Sequence, residues 1–128
     1  FQEIAARYNV TVATYGHASD GNLHTKMVID PTDKDEWDRG VKAVNEIFDV
    51  CIELGGTVTG EHGVGLSKAP NFMKERESEI SSIRAIKKAM DPENILNPGK
   101  LEQWTGPFLR DLRYPCPEYM GDSPAVRE

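Results

Sequence analysis

The side chains best suited to chemistry in this chain are its three histidines, and all of them fall in two glycine-bearing segments. His17 and His24 lie in the run Gly16-His17-Ala18-Ser19-Asp20-Gly21-Asn22-Leu23-His24, and His62 lies in Gly60-Glu61-His62-Gly63-Val64-Gly65. Imidazole and carboxylate are common ligands of divalent metals. His17, His24 and Glu61 therefore make a two-imidazole, one-carboxylate set that leaves coordination positions open for water or substrate, the arrangement suited to Lewis-acid chemistry. In an extended segment Glu61 and His62 would face opposite ways, but a tight glycine turn relaxes that alternation. His62 is then a candidate acid or base, an imidazole titrating near pH ~6.5; the alternative is a histidine that only hydrogen-bonds a ligand.

Two strands should carry the first segment. Val10 to Tyr15 is rich in β-branched residues, and Leu23 to Ile29 alternates, with Leu23, Thr25, Met27 and Ile29 on one face and His24, Lys26 and Val28 on the other. As antiparallel neighbours they would bring His17, ending one strand, close to His24, starting the next. Lys26 shares a face with His24 by the two-residue period and is placed to attract a substrate carboxylate; an exposed lysine is the plainer reading. Asp20, beside Gly21, is expected to bond its own backbone in the turn.

Helical spacing marks the rest. Phe1, Ile4 and Tyr8 form one face of a short helix stopping at Asn9. Thr32 is the expected cap of a longer helix with the apolar series Trp37, Val41, Val44, Phe48 and Cys51, closed by Gly55-Gly56. A short strand, Thr57 to Thr59, is expected to lead into Glu61. Pro70 suits the first turn of a helix through Arg76, and Ile80, Ile83, Ile86 and Met90 stripe a helix that Asp91-Pro92 terminates. Asn97-Pro98-Gly99-Lys100 reads as a turn. Gly60, Gly63 and Gly65 have the spacing of a phosphate-cradling loop, but no clear amphipathic helix follows them at once, so a nucleotide-binding fold is not expected. Residues 102–128 lose periodicity, carry four of the prolines and read as a tail pinned by Trp104, Phe108, Tyr114 and Tyr119.

With 128 residues, 38% hydrophobic, the chain suits one globular domain. A net charge of -6 without any Lys/Arg run argues against nucleic acid as a partner. The apolar runs fall short of the ~20 residues of a transmembrane helix. Cys51, within an apolar helical stripe, reads as a core residue, and Cys116 has no evident partner; two unrelated cysteines favour a reducing, cytoplasmic setting. A start at Phe1, within a helix, suggests a piece of a longer polypeptide.

Gly16-His17 through His24, Gly55-Gly56 leading to Gly60-Glu61-His62-Gly63-Val64-Gly65, and Ala89-Met90-Asp91-Pro92 with Ile95-Leu96-Asn97-Pro98-Gly99-Lys100-Leu101 together resemble the C-terminal domain of FAD-linked oxidases of the vanillyl-alcohol-oxidase superfamily. The branch it resembles is that of the glycolate oxidase D-subunit and the D-lactate and D-2-hydroxyglutarate dehydrogenases, and the resemblance runs over about the first hundred residues, giving a domain expected at 1–101. The resemblance implies an α+β fold, a ferredoxin-like antiparallel sheet with helices packed on one face, as a fragment of a larger FAD-linked oxidase whose FAD-binding domain lies upstream. It also implies His17, His24 and Glu61 as ligands of a divalent metal, with zinc expected, and His62 as catalytic base. Asn22 and Asn97 would lie near FAD, and a small D-2-hydroxy acid would be oxidised to a 2-oxo acid by hydride transfer. An electron-accepting subunit and a homo-oligomer are the further partners expected. Ser19 stands where the family commonly has glycine, and Lys26 where hydroxyglutarate enzymes carry Asn, which favours a smaller acid. The competing expectation is a non-catalytic metal-binding or assembly module of a multi-subunit complex.

Overall fold

A computed structural model describes residues 1–65 and 67–99, which form an α+β arrangement of four helices and two strands. In order these are α1 (Gln2–Tyr8), β1 (Thr11–His17), β2 (Asn22–Val28), α2 (Lys34–Glu53), α3 (Ala69–Glu75) and α4 (Ile80–Met90). Two compact units divide the chain, one built on Phe1–Ile47 and one beginning at Phe48. Among the described residues no helix is long and apolar enough to cross a membrane. The tail 102–128, with Cys116, lies outside the described residues.

In the first unit α1 buries Ile4 and Ala5 and stops at Asn9, whose φ of 51° is a left-handed value that Asn tolerates better than most side chains. β1 and β2 pair antiparallel from Thr11↔Val28 to His17↔Asn22. Each begins a residue or so away from the expected bounds. Residues directly opposite share a face, so Val12, Thr14, Gly16, Leu23, Thr25 and Met27 lie on one side, where Val12 is buried. Tyr15, His17, Asn22, His24 and Lys26 lie on the other, none of them buried.

The turn joining the strands is fixed by its own polar groups. The Gly21 N–H donates to the His17 carbonyl at 3.0 Å, and the Asn22 N–H donates to the Asp20 carboxylate at 3.0 Å, the local role expected of Asp20. Gly16 is required for a different reason: a Cβ there would stand 2.2 Å from the Asn22 carbonyl oxygen and 3.1 Å from the Leu23 Cα.

The cap of α2 is Asp33 rather than Thr32. Asp33 Oδ1 accepts the N–H groups of Asp35 and Glu36 at 2.9 and 3.0 Å, whereas the Thr32 hydroxyl donates to Asp30 at 2.7 Å. A carboxylate also suits the positive end of the helix dipole. The residues α2 buries are Gly40, Ala43 and Ile47, while Trp37, Val41, Val44, Phe48 and Cys51 are only half-buried. The small residues allow close approach, the Ile29 Cδ1 lying 3.5 Å from where a Gly40 Cβ would be. Gly55 at φ 78° closes the helix, with Gly55 N–H to the Ile52 carbonyl and Gly56 N–H to that of Cys51, a Schellman closure. Burial raises the Cys51 thiol above its ordinary 9.0, in keeping with a packing role.

In the second unit the strand expected at Thr57 to Thr59 does not form. Among the described residues no ladder partner takes its N–H groups; instead buried Val58 donates to the Glu75 carboxylate of α3 at 2.8 Å. α3 starts at Ala69, with Pro70 in its first turn, and ends one residue earlier than expected. α4 has the expected bounds, but only Ile80 is buried; Ile86 and Met90 are exposed. Beyond α4, the buried Asp91 carboxylate accepts the N–H groups of Ile95 and Leu96, each at 2.9 Å, and the Lys87 ammonium, which also donates to the Leu96 carbonyl at 2.6 Å. The Lys87 hydrogen bond, foremost, holds the Asp91 carboxyl below its ordinary 3.8; burial opposes this and the two N–H donors add to it.

Two consequences are measurable. Asp91→Asn should speed hydrogen exchange at the Ile95 and Leu96 amides and lower the melting temperature at neutral pH. Because the folded-state value is depressed, the stabilisation is fully present above about pH 3.8 and fades as pH falls through the lower folded value, so the difference between the proteins should shrink there. A difference unchanged by acid would show that the charge is not what holds the segment. Gly16→Ala should cost roughly 1–3 kcal/mol or more in denaturant unfolding, the range for forced overpacking, and unaltered stability would contradict the close approach at Gly16.

Candidate metal and catalytic site

Strand pairing accounts for the positions of the first two imidazoles. His17 ends β1 opposite Asn22, and His24 in β2 stands opposite Tyr15, so the histidines occupy diagonal positions on one face. Diagonal neighbours have Cα atoms about 7–8 Å apart, within reach of ring side chains. The two ring centroids are 5.4 Å apart at an interplanar angle of 81°. His17 is exposed and His24 half-buried. Two imidazoles this close, approached edge to face, fit a shared divalent ion with metal–nitrogen bonds of about 2.0–2.1 Å. Asn22 and Lys26 share this face, Lys26 standing opposite Ala13.

The other candidates belong to the second unit. Glu61 and His62 are consecutive, and the turn brings His62 Nε2 within 3.4 Å of Glu61 Oε1. Gly63 and Gly65, at φ 73° and 56°, supply the left-handed backbone that lets the chain turn here. Both side chains are well exposed, 47% for Glu61 and 65% for His62, so the pair faces outward from its own unit. An imidazolium formed at His62 would stand within ion-pair range of a carboxylate. Asn97, exposed and at φ 49°, directly follows the Leu96 held by Asp91 and Lys87.

Two contributors escaped the sequence reading. Tyr15 stacks on His24, centroids 5.1 Å apart and planes 26° from parallel. The available signal was an aromatic residue two positions before His17, hence on the same strand face. Glu75, its side chain only 6% exposed, anchors Val58 three residues before Glu61 and pairs with Arg76 at 2.9 Å. That link spans seventeen positions, and no local pattern announces it. Lys68, which follows the glycine segment, is half-buried, and burial lowers its ammonium from the ordinary 10.5.

Comparison with known proteins gives a consistent result. The family of FAD linked oxidases, C-terminal domain, matches residues 1–101. The glycolate oxidase subunit GlcD of Bacillus subtilis is 53% identical over 112 residues, covering 87% of this chain and 23% of the relative. The subunit of the same name from Escherichia coli K12 is 37% identical over 98 residues, 76% of this chain and 20% of the relative. A D-lactate dehydrogenase of Archaeoglobus fulgidus is 35% identical over 100 residues, 77% and 22% respectively. The chain thus spans about a fifth of the length of the relatives it matches. With the family's match running through the histidine hairpin, the Glu61-His62 turn and the segment after α4, this chain belongs to the C-terminal domain family of the FAD-linked oxidases.

Proposed function

We propose that this chain is the substrate- and metal-holding part of a flavin-dependent oxidoreductase that oxidises a small D-2-hydroxy acid, of the glycolate or D-lactate type, to the 2-oxo acid. The observation that carries the reading is the pair of imidazoles 5.4 Å apart on one hairpin face, in a chain of the FAD-linked oxidase family. The names of the relatives, glycolate oxidase subunit and D-lactate dehydrogenase, support the substrate class.

His17, His24 and Glu61 would hold the divalent ion, with zinc expected from an imidazole and carboxylate donor set. When bound, that ion supplies Lewis-acid polarisation of the substrate's hydroxyl and carboxylate oxygens. FAD, held mainly by the upstream domain, supplies the acceptor for the hydride from the substrate's α-carbon. This chain's own residues do the rest. His62 takes the hydroxyl proton as the carbonyl forms, and the Glu61 carboxylate beside it balances the charge so created. Lys26, on the face that His24 occupies, draws the anionic substrate toward the imidazoles. Asn22 and Asn97 take the flavin side. The further partners proposed are an electron-accepting subunit and a second copy of the protein.

The test uses the full-length protein under anaerobic conditions. Glycolate or D-lactate should bleach the flavin absorbance. His62→Gln should slow bleaching by about 10²–10⁴-fold, the usual worth of a positioned acid or base, with metal content by elemental analysis unchanged. His17→Ala and His24→Ala should each lose the metal. A full-length protein that binds FAD and metal, yet is bleached by no small D-2-hydroxy acid, would overturn the reading. Wild-type turnover in the His62→Gln protein would point instead to a metal-binding or assembly role.

A further inference from the structure

We propose that Tyr15 is the positioning residue for His24: its ring fixes the His24 imidazole in the orientation from which it binds metal together with His17. The inference rests on the metal reading above and adds a residue to it. Tyr15 and His24 are direct cross-strand partners. Their rings lie 5.1 Å apart and 26° from parallel, and His17 then meets His24 edge-on, 5.4 Å away at 81°. The three rings share one sheet face, Tyr15 and His17 from β1 and His24 from β2: the phenol stacks on the His24 imidazole and the other imidazole meets it edge to face.

The location argues against a simple packing role. Tyr15 is 56% exposed and lies on the sheet face opposite buried Val12, so its ring fills no core. What it does touch is the imidazole. His24 turns about two side-chain torsions, and the second is broad for an sp² ring. A stacked neighbour narrows that freedom before any ion arrives, so less entropy is lost on binding. Aromatic pairs of this kind shift a conformational equilibrium by about two- to tenfold, and that is the gain in metal affinity expected here. The active element is the ring face, not the hydroxyl, so phenylalanine should substitute for tyrosine and an aliphatic residue should not.

The experiment compares full-length wild type with Tyr15→Phe and Tyr15→Leu. Zinc affinity is measured by competition with a chromophoric chelator, geometry by the visible spectrum of the cobalt(II) protein, and the ring contact by the ring-current shift of the His24 imidazole protons in metal-free, histidine-labelled protein. Tyr15→Phe should keep all three. Tyr15→Leu should bind zinc about two- to tenfold more weakly, alter the cobalt spectrum and lose the imidazole shift. Its melting temperature without metal records any general destabilisation, which alone would leave the cobalt spectrum of the loaded protein unaltered. Wild-type affinity and cobalt spectrum in Tyr15→Leu would overturn the proposal, as would a Tyr15→Phe protein as weak as Tyr15→Leu. If the wild type itself bound neither metal while the imidazole shift was intact, the metal reading would fall and the positioning role with it; the shift distinguishes that result from a failure of the stacking alone.

Discussion

The constraint on which the site depends is the register of one two-stranded hairpin. Side chains alternate along a strand, so a slip of a single residue would move every β2 side chain to the other face relative to β1. His24 would then leave the face that His17 occupies. Three features oppose the slip: the Asp20 carboxylate and Gly21 define the turn, Gly16 lets the Asn22 and Leu23 backbone approach closely, and Val12 is buried opposite Met27. Asp20, Gly21, Gly16 and Val12 do this without touching a ligand. Sheet geometry thus puts both imidazoles on one face at diagonal positions before any ion or substrate is present.

What the sequence disclosed was mostly local. The ends of α1 and α4, the glycine closure of α2 and the Asp20 turn follow from backbone preferences within a few residues of each position, and they stand where those preferences put them. The positions that differed were decided by partners elsewhere. Thr57 to Thr59 has strand-like composition, but Glu75 takes the Val58 N–H from seventeen positions away. The large apolar residues of α2 mark a helix correctly, yet Gly40, Ala43 and Ile47 make its buried stripe, because small side chains admit a close neighbour that periodicity cannot reveal. At the α2 start, Thr32 and Asp33 both have capping chemistry. The choice between them turns on Asp30, which engages the Thr32 hydroxyl. For the site, residue types and spacing singled out the histidines, whereas the stacking of Tyr15 on one of them needed the register.

The hairpin and the Glu61-His62 turn represent two different ways of placing a polar side chain. A strand fixes direction through its ladder and costs little further entropy per ligand. A glycine turn reaches backbone angles that a strand cannot, but glycine has more freedom to lose on folding. Such a loop is best held from outside, and Glu75 does this: its nearly buried carboxylate binds the Val58 N–H and pairs with Arg76, fixing the chain three residues before Glu61.

Consecutive placement of Glu61 and His62 has a chemical logic as well. A carboxylate offers two oxygens and about four acceptor directions. With Oε1 at 3.4 Å from His62 Nε2, a carboxylate of this kind has acceptor directions enough to face an imidazole and, on the proposed function, an ion. Separating the two residues along the chain would require the fold to bring them together again. Adjacent residues stay close through the chain itself, and the left-handed glycines that follow relax the alternation that would point them apart, while strand pairing keeps His17 and His24 on one face. Backbone geometry thus sets where each of these polar groups starts from, and side-chain contacts from outside, that of Glu75 with Val58 among them, keep each segment in place.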